Sequence, residues 1–286
     1  MLIKDALSII ILTHNEEKNI EACLKSISAL NCSVFLVDSG STDATLSIAE
    51  KYKVHISHHP FQNYGQQRNW ALQNLPINTP WVLNMDADHR MTEELSKEIE
   101  QIFSNTIAES INGFLISRRT IFLGKWIKYG GHYPVYHAIL FRRGFGYCED
   151  KLYDQHFVVE GQCATIKSDM IDTLTDSLNS FTERHNRWAT LEAEDQISAY
   201  SKNNKEELVQ AKFTGNAQQR RRFSKSIYEK FPLFVRPFVY FIIRYFFKLG
   251  FLDGKTGLVF HFLQGFWFRF LVDAKIYELK SKRNTI

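Results

Sequence analysis

Residues 33–45 read SVFLVDSGSTDAT, and the change of character inside this stretch decides the fold. An apolar run over 33–37 ends at Asp38, a Gly-Ser turn follows, and Thr42 or Asp43 opens a helix. A short, continuously apolar strand that turns straight into a helix is the unit of a parallel sheet covered on both faces. Upstream the pattern repeats: residues 7–12 (LSIIIL) run into Thr13-His14-Asn15-Glu16-Glu17, and a helix over about 17–30 carries Ile20, Cys23, Leu24 and Ile27 at helical spacing. Downstream come a helix over about 43–52, a strand near 54–57, a helix over 66–75 and a strand over 81–84, with a further helix over 93–103. These elements predict an α/β fold built on a mostly parallel twisted sheet, followed by a C-terminal amphipathic helical region.

Ligands bind such sheets outside the carboxyl ends of the strands. Every polar cluster falls there: Thr13 to Glu16, Asp38 to Asp43, and Asp86 to His89 in VLNMDADHR at 82–90. Two carboxylates one residue apart repel unless a cation sits beside them, so Asp86 and Asp88 are candidate ligands for a divalent metal; a solvated turn is the bland alternative. A nucleotide-sugar diphosphate needs such an ion, and Mg²⁺ or Mn²⁺ takes one or two carboxylates plus phosphate oxygens. Asp38 and Asn15 offer a carboxylate and an amide to a ribose and base. Arg68 in GQQRNWAL offers a cation to base or phosphate, against the alternative of a surface helix arginine.

The bulk composition is globular, with 44% hydrophobic and 23% charged residues, but aromatics reach 14%, including 23 Phe. The net charge of +4 divides unevenly. Residues 201–286 hold 17 Lys/Arg against 6 Asp/Glu, and residues 1–200 hold 18 against 25. A basic tail on an acidic body calls for an anionic partner, either a membrane surface or a nucleic acid. The four cysteines show neither paired CxxC nor zinc spacing, and residues 2–12 are too short and polar-flanked for an export signal, so a reducing, cytoplasmic setting is expected.

Four strings in order, ILTHNEEKNI (11–20), FLVDSGSTDAT (35–45), YGQQRNWAL (64–72) and WVLNMDADHRM (81–91), resemble the inverting glycosyltransferases of family 2, whose nucleotide-binding α/β domain is called GT-A. IFLGKWIKYGGHYPVYHAILFRRG (121–144) further resembles the lipopolysaccharide-core branch of that family, the glucosyl- or heptosyltransferase-like proteins of the WaaE type. The resemblance implies that Asp38 contacts a uridine, Asp86 the ribose or metal, and Asp88 the metal on the diphosphate, with Thr13, Asn15, Glu16 and Arg68 completing a nucleotide-sugar site. It also implies a carboxylate base that takes the proton of the acceptor hydroxyl in a single displacement. Related proteins carry a short His-Glu segment at that point. Here CEDKLYDQHFVVEG (148–161) departs from it and leaves the base open among Asp150, Glu149 and Asp154, with Asp150 favoured. The doublets Arg118-Arg119 and Arg142-Arg143 would suit phosphates, though a solvated face is their commoner meaning.

The tail stretches PLFVRPFVYFIIRYFFKLG (232–250) and GLVFHFLQGFWFRFLVDAK (257–275) lack an uncharged run of the ~20 residues needed to cross a bilayer. Arg236, Arg244 and Lys248 fall on one side of a helix, as do His261, Gln264, Arg269 and Asp273, each opposite an aromatic and aliphatic face. Such helices lie in a membrane interface, with Arg220, Arg221 and Arg222 facing anionic headgroups; nucleic-acid binding is not expected. The sequence therefore reads as a transferase domain over 1–200 and a membrane-associating region over 201–286, peripheral on the inner face of the cell membrane, with a glycolipid or polyprenyl-linked acceptor. A nucleotidyltransferase, or a non-catalytic scaffold of the same fold, is the competing expectation; THNEE lacks the glycines of a nucleotidyltransferase phosphate loop.

Overall fold

The computed structural model describes residues 2–152, 154–175, 177–201, 214 and 224–283. Arg220, Arg221 and Arg222 lie outside the described residues. The chain divides into two compact units: residues 1–119, 136–150 and 155–173 form the first, and residues 120–135, 151–154 and 174–286 the second.

The first unit is built on strands β1 (Leu7–Thr13), β2 (Ser33–Asp38), β3 (Val54–His58), β4 (Trp81–Asp86) and β5 (His89–Met91), joined in one sheet by β6 (Ile111–Phe122), β8 (Tyr136–Arg142) and β11 (Gln162–Thr175). Spatial order is β3-β2-β1-β4-β8-β6-β11-β5. The strands β3, β2, β1 and β4 run parallel, whereas β8 is antiparallel to both β4 and β6. Of the shorter strands, β7 (Lys125–Trp126) pairs with β6, and β9 (Gly146–Cys148) with β10 (Phe157–Val159).

Helices α1 (Ile20–Ile27), α2 (Thr45–Ala49), α3 (Tyr64–Asn74) and α4 (Glu93–Ser104) connect the strands. The continuous apolar runs are explained by burial on both faces. Successive residues of β1 enter different cores: Ile9 and Ile11 pack with Leu36, Leu83 and Met85, while Ile10 and Leu12 pack with Phe35, Val37 and Val82. Each such side chain contributes about 1.5–3 kcal/mol on leaving water. Polar residues fix where helices begin. Asn63 caps α3, accepting from the Gln66 amide at 2.8 Å, and Thr92 caps α4, accepting from the Leu95 amide at 3.1 Å.

In the second unit α5 (Leu178–Ser201) packs on a helical hairpin. One arm is α6 (Arg236–Ile242) continued by a π-helical stretch (Ile243–Phe247); the other is α7 (Gly254–Phe260), a second π-helical stretch (His261–Trp267) and α8 (Phe268–Arg283). Ala189, Ala193 and Ile197 of α5 meet Phe268, Val272 and Ile276 of α8. The polar side of the hairpin, expected opposite its aromatic face, turns inward: Arg236 pairs with Asp273, both fully buried, Arg269 donates to Glu192 at 2.9 Å, and His185 meets Gln264 at 2.6 Å. No helix of the described residues is long and apolar enough to cross a membrane.

Candidate active site

Strand register sets the rim of the site. Thr13 of β1 pairs with Asp38 of β2, and Leu12 pairs with Asp86 of β4. With β2 and β4 flanking β1, two strand spacings put Asp38 and Asp86 about 10 Å apart at the same edge.

The loops after β1 and β2 are laced together above that edge. Asn15 takes a left-handed backbone (φ 54°), a conformation asparagine tolerates. Its amide donates to Ser41 Oγ at 2.9 Å and its Oδ1 accepts from the Thr42 amide at 2.8 Å. The Glu16 amide donates to Thr45 Oγ1 at 2.7 Å, and the Glu17 amide to Asp43 Oδ2 at 3.1 Å. Asp38 is buried and closes its own turn, accepting from the Gly40 amide at 2.9 Å, the Ser41 hydroxyl and the Ser41 amide, with His58 Nδ1 at 3.4 Å. Burial pushes its carboxyl pKa up, but these hydrogen bonds outweigh burial and hold it below the ordinary value. Thr13 Oγ1 is buried without a partner among the described residues.

Asp86 ends β4 under a cation. Arg68, nearly buried on α3, donates through Nη2 to Asp86 Oδ1 and lies 5.8 Å from the Phe157 ring centre. Its Nη1 is buried with no partner among the described residues. Burial raises the Asp86 carboxyl pKa, and Arg68 leads the neighbours that together more than compensate, so the pKa lies below the usual carboxylate range. His89 is 2% exposed, and burial, aided by Arg118, pulls its pKa down to about 4, so the ring is neutral. Its Nδ1 accepts from the Asp86 amide at 3.0 Å, which leaves the proton on Nε2, 3.6 Å from Asp86 Oδ2. His89 thus holds the backbone of Asp86 through its amide and stands close to, but not bonded to, the carboxylate. Ligand atoms of Asp86, Asp88 and His89 lie within 4.8 Å of one another. With the lone pair of His89 Nδ1 already engaged, the donors that suit a hard divalent cation are the two carboxylates.

The remaining candidates meet α3 on another side. Asn69 clasps the backbone of Cys148, donating to its carbonyl at 2.9 Å and accepting from its amide at 2.8 Å. Asp150 is exposed and accepts from Asn63 Nδ2 at 2.9 Å and Gln66 Nε2 at 3.3 Å. Gly65 allows this approach: a Cβ there would stand 2.1 Å from the Glu149 carbonyl oxygen. Glu149 points inward, 1% exposed, accepting from the His156 amide at 3.1 Å. Asp154 falls in the second unit, where Lys225 Nζ donates to it at 3.0 Å. On a third side of α3, Gln67 donates to Ser39 Oγ and to the His59 carbonyl, both at 3.1 Å, which ties the helix to the turn after Asp38.

Thus the structure brings Thr13, Asn15, Glu16, Asp38, Arg68, Asp86, Asp88, Glu149 and Asp150 into one unit, and Asp154 into the other. The arginine doublets hold the sheet together: Arg119 donates to Asp169 at 2.9 Å, Arg118 stands 3.8 Å from Asp172, Arg142 donates to the Ile111 carbonyl and Arg143 to that of Thr79. Sequence reasoning passed over His89, Gly65, Asn69 and the Ser41/Thr45 hydroxyls. A histidine directly after the second aspartate was a signal for the first; the others depend on contacts remote in sequence.

Residues 8–175 match the model of the family described as Glycosyl transferase family 2. A lipopolysaccharide core biosynthesis glycosyltransferase of Rhizobium meliloti, LpsC, is 25% identical over 301 residues, covering 99% of this chain and 97% of that protein. An uncharacterized glycosyltransferase of Rickettsia conorii is 38% identical over 101 residues, which is 35% of each chain. Among solved structures, TarS 1–349 of S. aureus aligns over 98% of this chain and 92% of its own, with 16% identity and a TM-score of 0.43. Glucosyl-3-phosphoglycerate synthase of Mycobacterium tuberculosis, in complex with Mn²⁺, uridine diphosphate and glucosyl-3-phosphoglycerate, aligns over 40% of this chain and 44% of its own, with 21% identity and a TM-score of 0.32.

Proposed function

The chain belongs to glycosyl transferase family 2 and is a glycosyltransferase, and on that premise we propose that it is a metal-dependent, inverting hexosyltransferase. In this reading the donor is a uridine-diphosphate sugar and the acceptor a glycolipid or polyprenyl-linked glycan of lipopolysaccharide core or surface-polysaccharide assembly. The observation that carries the reading is the gathering of Asp38, Asp86 and Asp88 at one rim of β2-β1-β4. The likeness to LpsC along nearly its whole length supports the acceptor class.

Asp86 and Asp88 would hold Mn²⁺ or Mg²⁺, which when bound supplies a Lewis acid for charge developing on the departing diphosphate. The protein's own groups do the rest. Arg68 keeps Asp86 ionised and offers its second terminal nitrogen to a diphosphate oxygen. Thr13, Asn15 and Glu16 with the Asp38 turn form the nucleoside cradle, rigid before any ligand arrives because its loops are already bonded to each other. As the bond between the sugar's anomeric carbon and the diphosphate oxygen breaks, the acceptor oxygen bonds to that carbon from the opposite face. Asp150 takes the acceptor's proton. Asp150 is preferred over Glu149, which is enclosed beside His156, and over Asp154, which Lys225 engages.

The transferase work is assigned to residues 1–200 and membrane association on the cytoplasmic side to residues 201–286, with no role for nucleic acid. The deciding experiment is a screen of UDP-, GDP- and dTDP-sugars with Mn²⁺ and Mg²⁺ against lipid-extracted acceptors. Metal-dependent turnover of a UDP-hexose with inversion is expected; turnover that survives chelation, or a retained anomeric configuration, would overturn the proposal.

A further inference from the structure

The hairpin of the second unit is built with its polarity reversed. Three of its charged side chains are spent internally: Arg236 on Asp273, Arg269 on Glu192, and Asp253 on the amides of Lys128 and Tyr129 at 3.1 and 3.0 Å. Phe260, Phe268, Val272 and Ile276 are buried, but many of its other large apolar side chains face outward. Phe247 is 78% exposed, Phe246 54%, Phe238 52% and Leu252 51%, with Ile242 and Phe251 beside them. Phe246, Phe247, Phe251 and Leu252 flank the turn between the two arms, where Leu249 takes a left-handed backbone (φ 60°) and the buried carboxylate of Asp253 anchors the inner side, while Phe238 packs farther along the arm against Phe266. A contiguous aromatic tip of this kind is far beyond the scattered exposed apolar residues normal for a soluble surface.

Charge identifies what covers it. Between Phe231 and Val272 the only acidic residue in the sequence is Asp253, and that one is buried. The exposed ions flanking the tip are Lys248 and Lys255. An apolar tip flanked by two lysines, with no exposed acid in its own stretch of sequence, is complementary to hydrocarbon beneath anionic headgroups. A second copy of the tip would instead bring four lysines together. Residues 202–223 supply few apolar groups for a cover, chiefly Leu208, Val209, Phe213 and Phe223.

We propose that the turn between the hairpin arms, led by Phe246, Phe247, Phe251 and Leu252, inserts into the headgroup and upper acyl region of an acidic phospholipid surface. The buried Arg236–Asp273 pair and its neighbours stay within the protein as a brace, so the hairpin enters tip first and does not lie flat with its arginines on headgroups. The inference rests on and deepens the reading of a membrane-borne acceptor, and its lipid-binding readouts need no sugar.

Full-length protein is co-sedimented with phosphatidylcholine vesicles containing or lacking phosphatidylglycerol, and sedimentation velocity is run without lipid. Wild type should pellet with the anionic vesicles, and Phe246→Asp/Phe247→Asp should reduce partitioning at least about tenfold while metal-dependent hydrolysis of the donor is kept. In Phe247→Trp, fluorescence quenching by brominated acyl chains should exceed that of wild type. The proposal is overturned if wild type stays in the supernatant with both vesicles, if quenching is unchanged, or if the protein forms a dimer that the double aspartate variant abolishes. Each of these results would leave a donor-hydrolysing transferase intact, whereas loss of hydrolysis in wild type would strike the functional reading alone.

Discussion

Gly65→Ala isolates the contact on which the placement of Asp150 depends. In a helix this change ordinarily stabilises by about 0.5–1 kcal/mol, because alanine loses less backbone entropy. Here the new Cβ would lie 2.1 Å from the Glu149 carbonyl oxygen, 3.1 Å from its carbon and 3.2 Å from the Asp150 Cα. Cβ atoms essentially never approach closer than 3.0 Å, so the 148–150 backbone must retreat by about 0.9 Å, the difference between 3.0 and 2.1. Backbone cannot swing aside as a side-chain tip can, and Asn69 holds Cys148 from both its amide and its carbonyl. Overpacking of this kind costs about 1–3 kcal/mol, enough to cancel the helix gain. A displacement of about 1 Å at a reacting group lowers rate by about a hundredfold. The expected outcome is therefore a melting temperature equal to or below wild type, sugar transfer reduced about a hundredfold, and uridine diphosphate affinity unchanged by calorimetry, since Asp38 and Asp86 are untouched. A variant that is more stable than wild type and transfers at the wild-type rate would refute the reasoning.

Asp150→Asn should lower transfer by about 10²- to 10⁴-fold while sparing uridine diphosphate binding; unchanged turnover would move the base to Glu149 or Asp154. Asp88→Asn should leave the stability of the unliganded protein within about 0.5 kcal/mol of wild type and abolish the extra stabilisation that uridine diphosphate gives only with Mn²⁺, as thermal shift would read. His185 is enclosed in the second unit, and burial pulls its pKa from 6.5 to about 4. The unfolded chain therefore binds a proton between these values that the folded chain refuses. The stability is fully present above pH 6.5 and lost as pH falls towards 4, with about 2 kcal/mol gone by pH 5 from this group. Urea midpoints at pH 7 and pH 5 should converge in His185→Gln relative to wild type.

How much of this was legible depended on distance along the chain. Strands β1, β2 and β4 were readable because burial on both faces makes LSIIIL, SVFLV and WVLN uninterrupted apolar runs, and the acids that follow them had to share an edge once the strands were parallel. β6 and β11 were not, because Arg118 and Arg119 interrupt one and Asp169 and Asp172 the other, and only their pairing across the sheet makes four charges acceptable there. Arg68 stood out as a cation in the right motif, yet its partner Asp86 is a contact that no local pattern encodes. In the tail the aromatic and polar sides were visible from spacing, but which side faces inward depended on Glu192 and Gln196 of α5 receiving Arg269 and Arg236.

Helix α3 touches three things at once: the Asp38 turn through Gln67, Asp86 through Arg68, and the Asp150 segment through Asn63, Gly65 and Asn69. Eleven residues of helix make a stiff rod of about 16 Å. On the proposed reading, a donor that engages the second terminal nitrogen of Arg68 thus acts on the same helix that holds the Asp150 segment. On that reading the two substrates would be joined through one rigid element, and a compulsory order of arrival is the expected kinetic outcome.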